Sequence, residues 1–95
     1  MPILSFADKK CAAIFSGKAV KGVGSAAYEQ ARDKLAMLHA ARSRSDLATP
    51  GNDLKALVGE KHGWQMRVNR QYRIRFNVVK DQPLEVADVW FGDPH

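Results

Sequence analysis

Apolar and polar residues alternate in two adjacent runs between residues 64 and 78. A period of two residues predicts β-strands with one apolar and one polar face. Turn chemistry at residues 69–71 separates the runs, so we predict a β-hairpin whose polar face carries arginines Arg67, Arg73 and Arg75. The apolar positions of this hairpin are Trp64, Met66, Val68, Tyr72, Ile74, Phe76 and Val78.

Helical spacing replaces this alternation in the first half of the chain. A short helix is predicted between Asp8, a favourable N-cap residue, and Gly17, a favourable residue after a helix end. A longer helix, capped by Ser25, is predicted to run to about Arg42. Apolar residues at helical spacing mark the buried face of each helix: Cys11, Ile14 and Phe15 in the first, and Tyr28, Ala31, Leu35 and Leu38 in the second.

The remaining segments complete an α+β fold. Residues 3–6 are typical of an opening strand and residues 84–91 of a closing strand, whereas residues 54–58 fit either a short strand or an extended segment. The order β-α-α-β-β-β predicts one domain over residues 1–95, with two helices on one face of an antiparallel sheet and the other face open. Four aromatic residues at alternating positions are expected in the core rather than as base-stacking groups: Trp64, Tyr72, Phe76 and Trp90.

Composition narrows the class of protein. The 95 residues are 45% hydrophobic and 26% charged, which is typical of one globular domain. Cys11 is the single cysteine, which excludes an internal disulfide and a cysteine-based zinc site, and it is expected to be a small buried residue rather than a nucleophile. No apolar run is long enough for a membrane helix, and the N-terminus lacks a signal-peptide pattern, so we expect a cytoplasmic protein.

The net charge of +5 is unevenly distributed. Residues 64–80 contain five basic residues and no acidic one, while acidic residues lie on both sides of this segment. Four of the five are arginines, whose planar guanidinium binds phosphate through several donors at once. The pattern favours a nucleic-acid partner over other acidic surfaces.

Apart from this arginine-rich segment, the sequence contains few patterns that are typical of a catalytic or metal site. The three histidines have no metal-ligand spacing, no glycine-rich phosphate loop follows a strand, and no metal or cofactor is expected. The sequence Asp93-Pro94-His95 follows the last predicted strand, and an imidazole beside arginines suits proton transfer at a phosphate. RNA supplies its own nucleophile, the 2′-OH. Alternatively, Asp93-Pro94-His95 is a frayed chain terminus without function.

The residues resemble the HigB toxins, the host-inhibition-of-growth or plasmid-maintenance-killer branch of the RelE/ParE superfamily. The resemblance covers nearly the whole chain, and its most specific part is the hairpin sequence Arg-Val-Asn-x-Gln-aromatic-Arg-Ile-x-Phe at residues 67–76. Other similar segments are residues 5–6, 14–18, 34–41, 50–59 and 93–95, together with Gly63.

This resemblance implies a RelE-like fold and the toxin of a type II toxin–antitoxin system. Such toxins enter the ribosomal A site and cut mRNA by metal-independent attack of the 2′-OH on the adjacent phosphate. The implied partner is a helix-turn-helix antitoxin of the HigA type, and operator DNA is contacted only through the toxin–antitoxin complex.

The resemblance also implies roles for individual residues. Arg73 stands at the family's phosphate-binding arginine, and Asp93 and His95 match its acid/base and positioning groups. Pro94 replaces the family's tyrosine and offers neither a hydroxyl nor an aromatic ring. Lys55 stands where some members have a histidine, so it either supplies a proton, steadies the leaving oxygen, or is an ordinary solvated lysine.

Four further basic residues are candidate RNA contacts. Arg67 and Arg75 are expected either to contact RNA or the ribosome or to form a solvated sheet face. Arg70 lies at the turn, and Lys61 lies in a glycine-bracketed loop. Two alternative functions remain at this point. One is a catalytically weak or inactive toxin-fold module that binds its antitoxin or RNA, and the other is a gyrase poison like the ParE branch, which the histidine-terminated tail disfavours.

Overall fold

A four-stranded antiparallel sheet organises the fold. The computed structural model describes residues 2–59 and 63–94. The strands are β1 (Lys55–Ala56), β2 (Gly63–Arg67), β3 (Arg73–Asp81) and β4 (Leu84–Gly92), and they lie in the order β1-β2-β3-β4. Each strand pairs with its neighbour in the chain, so the sheet is a simple meander. The predicted α+β class is confirmed.

Two helices cover one face of this sheet. Helix α1 (Lys9–Phe15) begins after Asp8, whose carboxylate accepts a hydrogen bond from the Cys11 N–H at 2.8 Å, as the N-cap prediction required. Gly17 follows the helix with a φ of 79°, a left-handed conformation that glycine adopts without strain. Both predicted ends of α1 are therefore confirmed.

Helix α2 (Ser25–Ala40) differs slightly from the prediction. Gly24, not Ser25, occupies the N-cap position and makes no side-chain cap, and the helix ends at Ala40, before Arg42. Its predicted apolar face is confirmed, because Ala31, Leu35 and Leu38 are fully buried. Packing rather than capping therefore holds this helix in place.

Two short 3₁₀ turns connect α2 to the sheet. They comprise Arg44–Leu47 and Pro50–Asn52, and Asn52 is fully buried. The Asn52 amide nitrogen donates to the Leu47 carbonyl at 2.9 Å, and its oxygen accepts a hydrogen bond from the Lys34 ammonium. This side chain ties the connection to α2 just before the chain enters β1, so it fixes where β1 begins.

The core forms one cluster between the helices and the sheet. It contains Cys11, Ile14 and the buried face of α2 from the helical layer, and the inward residues of β2, β3 and β4 from the sheet. Trp64, Tyr72 and Phe76 pack in or against this cluster, as predicted. The fully buried members from the sheet are Met66, Ile74, Val86 and Val89.

A β-bulge in β4 reverses which residues face the core. The pairing of β3 with β4 shifts between Arg75 and Asn77, where β4 contains one extra residue. Asp88 lies in this bulge with a φ of 54°, and its N–H donates to the Ser5 hydroxyl at 2.9 Å. Before the bulge even-numbered residues face the core, and after it odd-numbered residues do.

The predicted opening strand at residues 3–6 is reduced to two bridges. Ile3 and Phe6 pair in parallel with Val86 and Val89 of β4, rather than forming a regular strand. The segment is nevertheless bound along β4, since the Leu4 N–H donates to the Val86 carbonyl and the Ala7 N–H to the Val89 carbonyl, both at 2.8 Å. None of the helices in the described ranges is both long and apolar enough to cross a membrane.

Candidate functional site

The sheet face opposite the helices carries the arginines of the hairpin. The strand register places Lys55, Gln65, Arg75 and Trp90 side by side across β1 to β4. Because adjacent strands lie about 4.8 Å apart, this central row spans roughly 14 Å. A second row, one step along the strands, contains Arg67, Arg73 and Gly92. We call these two rows the open face.

Arg75 is held in the middle of the open face. Its Nε donates to the Gln65 side-chain oxygen at 3.1 Å, and its guanidinium carbon lies 5.4 Å from the centre of the Trp90 ring. Contact between a guanidinium and an aromatic face is favourable. A guanidinium carries five N–H donors and the bond to Gln65 uses one of them, so the orientation of Arg75 is fixed while capacity for a phosphate is retained.

Arg73 is anchored to the turn between β2 and β3. Its Nη1 donates to the carbonyl of Asn69 and, at 3.0 Å, to that of Tyr72. The Asn69 side-chain oxygen accepts hydrogen bonds from the N–H groups of Gln71 and Tyr72, both at 2.8 Å, which closes the predicted tight turn. Arg70 is exposed in this turn. The turn therefore positions the Arg73 guanidinium as well as connecting two strands.

Gly92 gives the Trp90 ring its place. A Cβ atom at Gly92 would lie 2.4 Å from Cζ2 of Trp90, a distance that real atoms do not adopt. Only glycine lets the indole pass so close to the backbone of β4. Since Gly92 stands opposite Arg73 and Trp90 opposite Arg75, the indole extends from the central row to the second row. Aromatic surface on β4 thus lies alongside the positions of Arg73 and Arg75 on β3.

The end of β4 brings Asp93 close to Arg73 in the sheet register. Asp93 directly follows Gly92, the register partner of Arg73, and both Asp93 and Pro94 are exposed. Asp93 also has a polar or electrostatic contact within the chain. Two candidate residues, His95 and Lys61, lie outside the described residues.

Lys55 lies apart from the tail. It occupies β1, at the far end of the central row, and its ammonium is 3.7 Å from the Asp53 carboxylate. Both side chains are more than half exposed, so this ion pair is weak. Two strand spacings separate β1 from β3, about 10 Å, and Lys55 is therefore not brought into the immediate neighbourhood of Arg73.

A shallow cavity adjoins the central row on the side away from Arg73. Its volume is about 300 Å³, and Trp90 and Arg75 form part of its wall. Its other lining residues come from four parts of the chain and include Ala7, Leu57, Asn77 and Asp88. The Asn77 amide nitrogen donates to the Asp88 carboxylate at 3.1 Å across the rim. We call this cavity the Trp90 pocket.

Cys11 lies far from these features in the core. It is fully buried, and burial, with a smaller contribution from the charge of Asp8, raises the pKa of its thiol from 9.0 to about 12. A thiol with so high a pKa is almost entirely protonated near neutral pH and is a poor nucleophile. The expectation of a small buried residue is confirmed.

Trp90 is the residue that sequence reasoning misplaced. Counting alternate positions put it in the core, but the bulge at Asp88 moves it to the open face beside Arg75. The available signal was Asp88 itself, because an aspartate in the middle of an apolar strand is unfavourable and marks an irregularity. Arg67, Arg73 and Arg75 share the open face as the alternation indicated.

Comparison with known proteins assigns the chain to a family. A search of curated proteins finds no match. A family model described as the RelE-like toxin of the type II toxin–antitoxin system HigB matches residues 4–95. Since this match covers nearly all of the chain, and the fold is the one that the resemblance implied, the protein belongs to the HigB-like family of type II toxins, whose members are paired with an antitoxin.

Proposed function

We propose that this toxin is a ribosome-dependent mRNA endonuclease. The observation that carries the proposal is the pairing of Arg73 with Gly92, because Asp93, the first residue of the Asp93-Pro94-His95 tail, directly follows this register partner of Arg73. A phosphate bound by Arg73 would therefore lie near the end of β4, which is directly followed by Asp93, one of the candidate proton-transfer groups. This is the arrangement that cleavage of an RNA backbone needs.

The proposed reaction uses the nucleophile of the substrate. The 2′-OH oxygen attacks the adjacent phosphorus in line, the bond from phosphorus to the 5′ oxygen breaks, and the products are a cyclic phosphate and a free 5′-OH. One group must accept the 2′-OH proton and another must protonate the leaving oxygen. Asp93 and His95 are the proposed acid/base and positioning groups, and Arg73 stabilises the charge that develops on the phosphate oxygens.

The remaining cations are proposed to hold the RNA. Arg67 and Arg75 lie on the open face with Arg73, so they suit contacts to phosphates on either side of the cut. Lys55 lies at the opposite edge from the tail, which favours a contact to the RNA backbone further along over proton transfer. Arg70 at the turn and Lys61 are proposed contacts to ribosomal RNA, and a HigA-type helix-turn-helix protein is the proposed antitoxin.

The test compares two arginines in a host induced to express the toxin. With Arg73→Ala, we expect mRNA cleavage, mapped as new 5′ ends, to fall by about a hundredfold or more, because a charged group aimed at the reacting phosphate is removed. Arg42→Ala is the matched control, because this substitution removes the same charge. Arg42 is exposed and lies outside the open face. We expect the control to cut at the normal rate.

The outcomes separate the proposal from its competitors. Growth arrest without new 5′ ends, unchanged in Arg73→Ala and His95→Ala, would contradict the nuclease and favour a binding module. A DNA-damage response without loss of mRNA would instead indicate gyrase poisoning. Loss of cleavage in Arg73→Ala and Arg42→Ala alike would indicate a general charge effect and would also count against the assigned role of Arg73.

A further inference from the structure

The Trp90 pocket has the chemistry of a site for one nucleobase. Its lining includes Arg75 and Trp90, whose guanidinium and indole contact each other, and single-stranded nucleic acids bind by stacking bases on such groups. Its volume of about 300 Å³ lies at the lower end of the range for small-ligand sites. A single planar base therefore suits it better than a larger ligand does.

The position of the pocket relative to Arg73 fits an extended RNA strand. Alternate residues on one strand face are about 6.6 Å apart, so Asn77 lies two steps, roughly 13 Å, from Arg73 along β3. Arg75 stands between them on the same face. A strand whose phosphate is bound by Arg73 can thus follow Arg75 and turn a neighbouring base into the pocket.

The polar rim of the pocket indicates which edge of the base it accepts. The Asp88 carboxylate is an acceptor only, and the bulge directs it to the cavity that Trp90 lines. Exocyclic amino groups of bases are donors, and acidic side chains pair with them. Uracil has no amino group, so a carboxylate at this position disfavours it.

We propose that the Trp90 pocket binds one nucleobase of single-stranded RNA, stacked on the indole of Trp90 with an amino edge toward Asp88. This inference rests on the proposed function, because it takes RNA to be the substrate. It assigns to Trp90 an aromatic contact that Pro94, at the tail position where the family has tyrosine, does not offer. It also makes Asp88 a residue that selects among bases.

Fluorescence tests the stacking directly. The chain has two tryptophans, so Trp64→Phe leaves Trp90 as the only indole and Trp90→Phe leaves Trp64. Each variant is titrated with a 2′-O-methyl oligoribonucleotide, which carries no free 2′-OH and cannot be cut. We expect saturable quenching of Trp90 but not of Trp64. A duplex of the same sequence, in which the bases are already paired, is expected to leave Trp90 emission unchanged.

Binding and base preference supply the second measurement. Trp90→Ala is expected to weaken binding of the single strand by roughly tenfold to a hundredfold, the usual loss for one stacked base. With the native chain, oligomers of cytosine or adenine should bind about tenfold tighter than oligomers of uracil, and Asp88→Asn should remove this preference. Asparagine accepts the left-handed backbone of Asp88, so the variant keeps the bulge.

The results distinguish this inference from the nuclease proposal. Equal quenching by single strand and duplex, no quenching of Trp90, or unchanged binding in Trp90→Ala would each overturn the stacking site. A base preference that survives in Asp88→Asn would overturn the role of Asp88. The oligomers cannot be cut, so their binding does not depend on cleavage. If they quench Trp90 emission in a toxin that produces no mRNA cleavage, the stacking site is supported and the nuclease proposal is contradicted.

Discussion

The same strands form both faces of the sheet, but the side chains on the two faces differ in burial and polarity. On the helix side, Met66, Ile74 and Phe91 are buried and fill one apolar cluster. On the open face, the residues next to them along the chain include arginines, a glutamine and Trp90, and several of these remain partly exposed. Burial of apolar surface stabilises the fold, whereas clustered like charges do not. Stability of the fold therefore does not explain the arginines of the open face.

The largest expected difference between the faces lies at two adjacent residues of β2. Met66 is fully buried on the core side and Arg67 is exposed on the open face. Met66→Ala should lower the free energy of unfolding by about 2–5 kcal/mol, because it leaves a cavity. Arg67→Ala should change it by less than about 0.5 kcal/mol, since it also removes a like charge opposite Arg73.

Urea unfolding followed by circular dichroism measures both variants. The same Arg67→Ala protein should bind single-stranded RNA more weakly, with a salt dependence reduced by about one counterion. A loss of stability at Arg67 as large as that at Met66 would show that the open face is part of the structural core, and the contrast between the faces would fail.

A smaller effect is expected where the open face itself is closely packed. Gly92→Ala places a methyl group against the Trp90 ring and should cost about 1–3 kcal/mol of unfolding free energy. In a protein that already carries Trp90→Ala, Gly92→Ala should cost much less unfolding free energy, because the ring that the methyl group meets is absent. The double-mutant cycle from urea unfolding gives the coupling between the two sites. Simple additivity would mean that the ring does not depend on Gly92.

The smallest effect at neutral pH concerns Cys11, on the core side. Its folded-state pKa of about 12 exceeds the ordinary value of 9.0, so the folded protein retains this proton after the unfolded chain has lost it. Stability from the neutral thiol is fully present below pH 9 and is lost as pH rises toward 12. Unfolding free energies of the native chain and Cys11→Ala should therefore differ by a constant amount up to pH 9 and converge above it. Parallel curves across the alkaline range would contradict the raised pKa.

Local patterns predicted the hairpin because they are sufficient to determine it. Alternation assigned the residues of β2 and β3 between Trp64 and Val78 to a face, and Asn69 supplied the turn through bonds to Gln71 and Tyr72. The caps of α1 were equally local, since Asp8 and Gly17 act on their own backbone neighbourhood. Each of these features lies within a few residues in sequence.

Features that depend on distant residues were not predictable in this way. The bulge that exposes Trp90 involves the Ser5 hydroxyl, 83 residues from Asp88 in the chain. On the open face the Trp90 ring contacts Arg75 of the neighbouring strand, and the buried Asn52 before β1 accepts a hydrogen bond from Lys34 of α2, 18 residues earlier in the chain. A pattern of apolar and polar positions does not indicate which distant residues contact each other. The pattern therefore assigned the arginines to the open face but did not assign Trp90 to it.

The edges of the sheet bear on how the toxin behaves when it is free of its antitoxin. At one edge, β1 contains only two residues, and at the other the N-terminal segment lies along β4 and makes two separated bridges. Exposed edge strands are templates on which other chains add strands and aggregate, and short or irregular edges give such growth little to extend. Without a partner to cover them, these interrupted edges limit self-association of the toxin through its backbone.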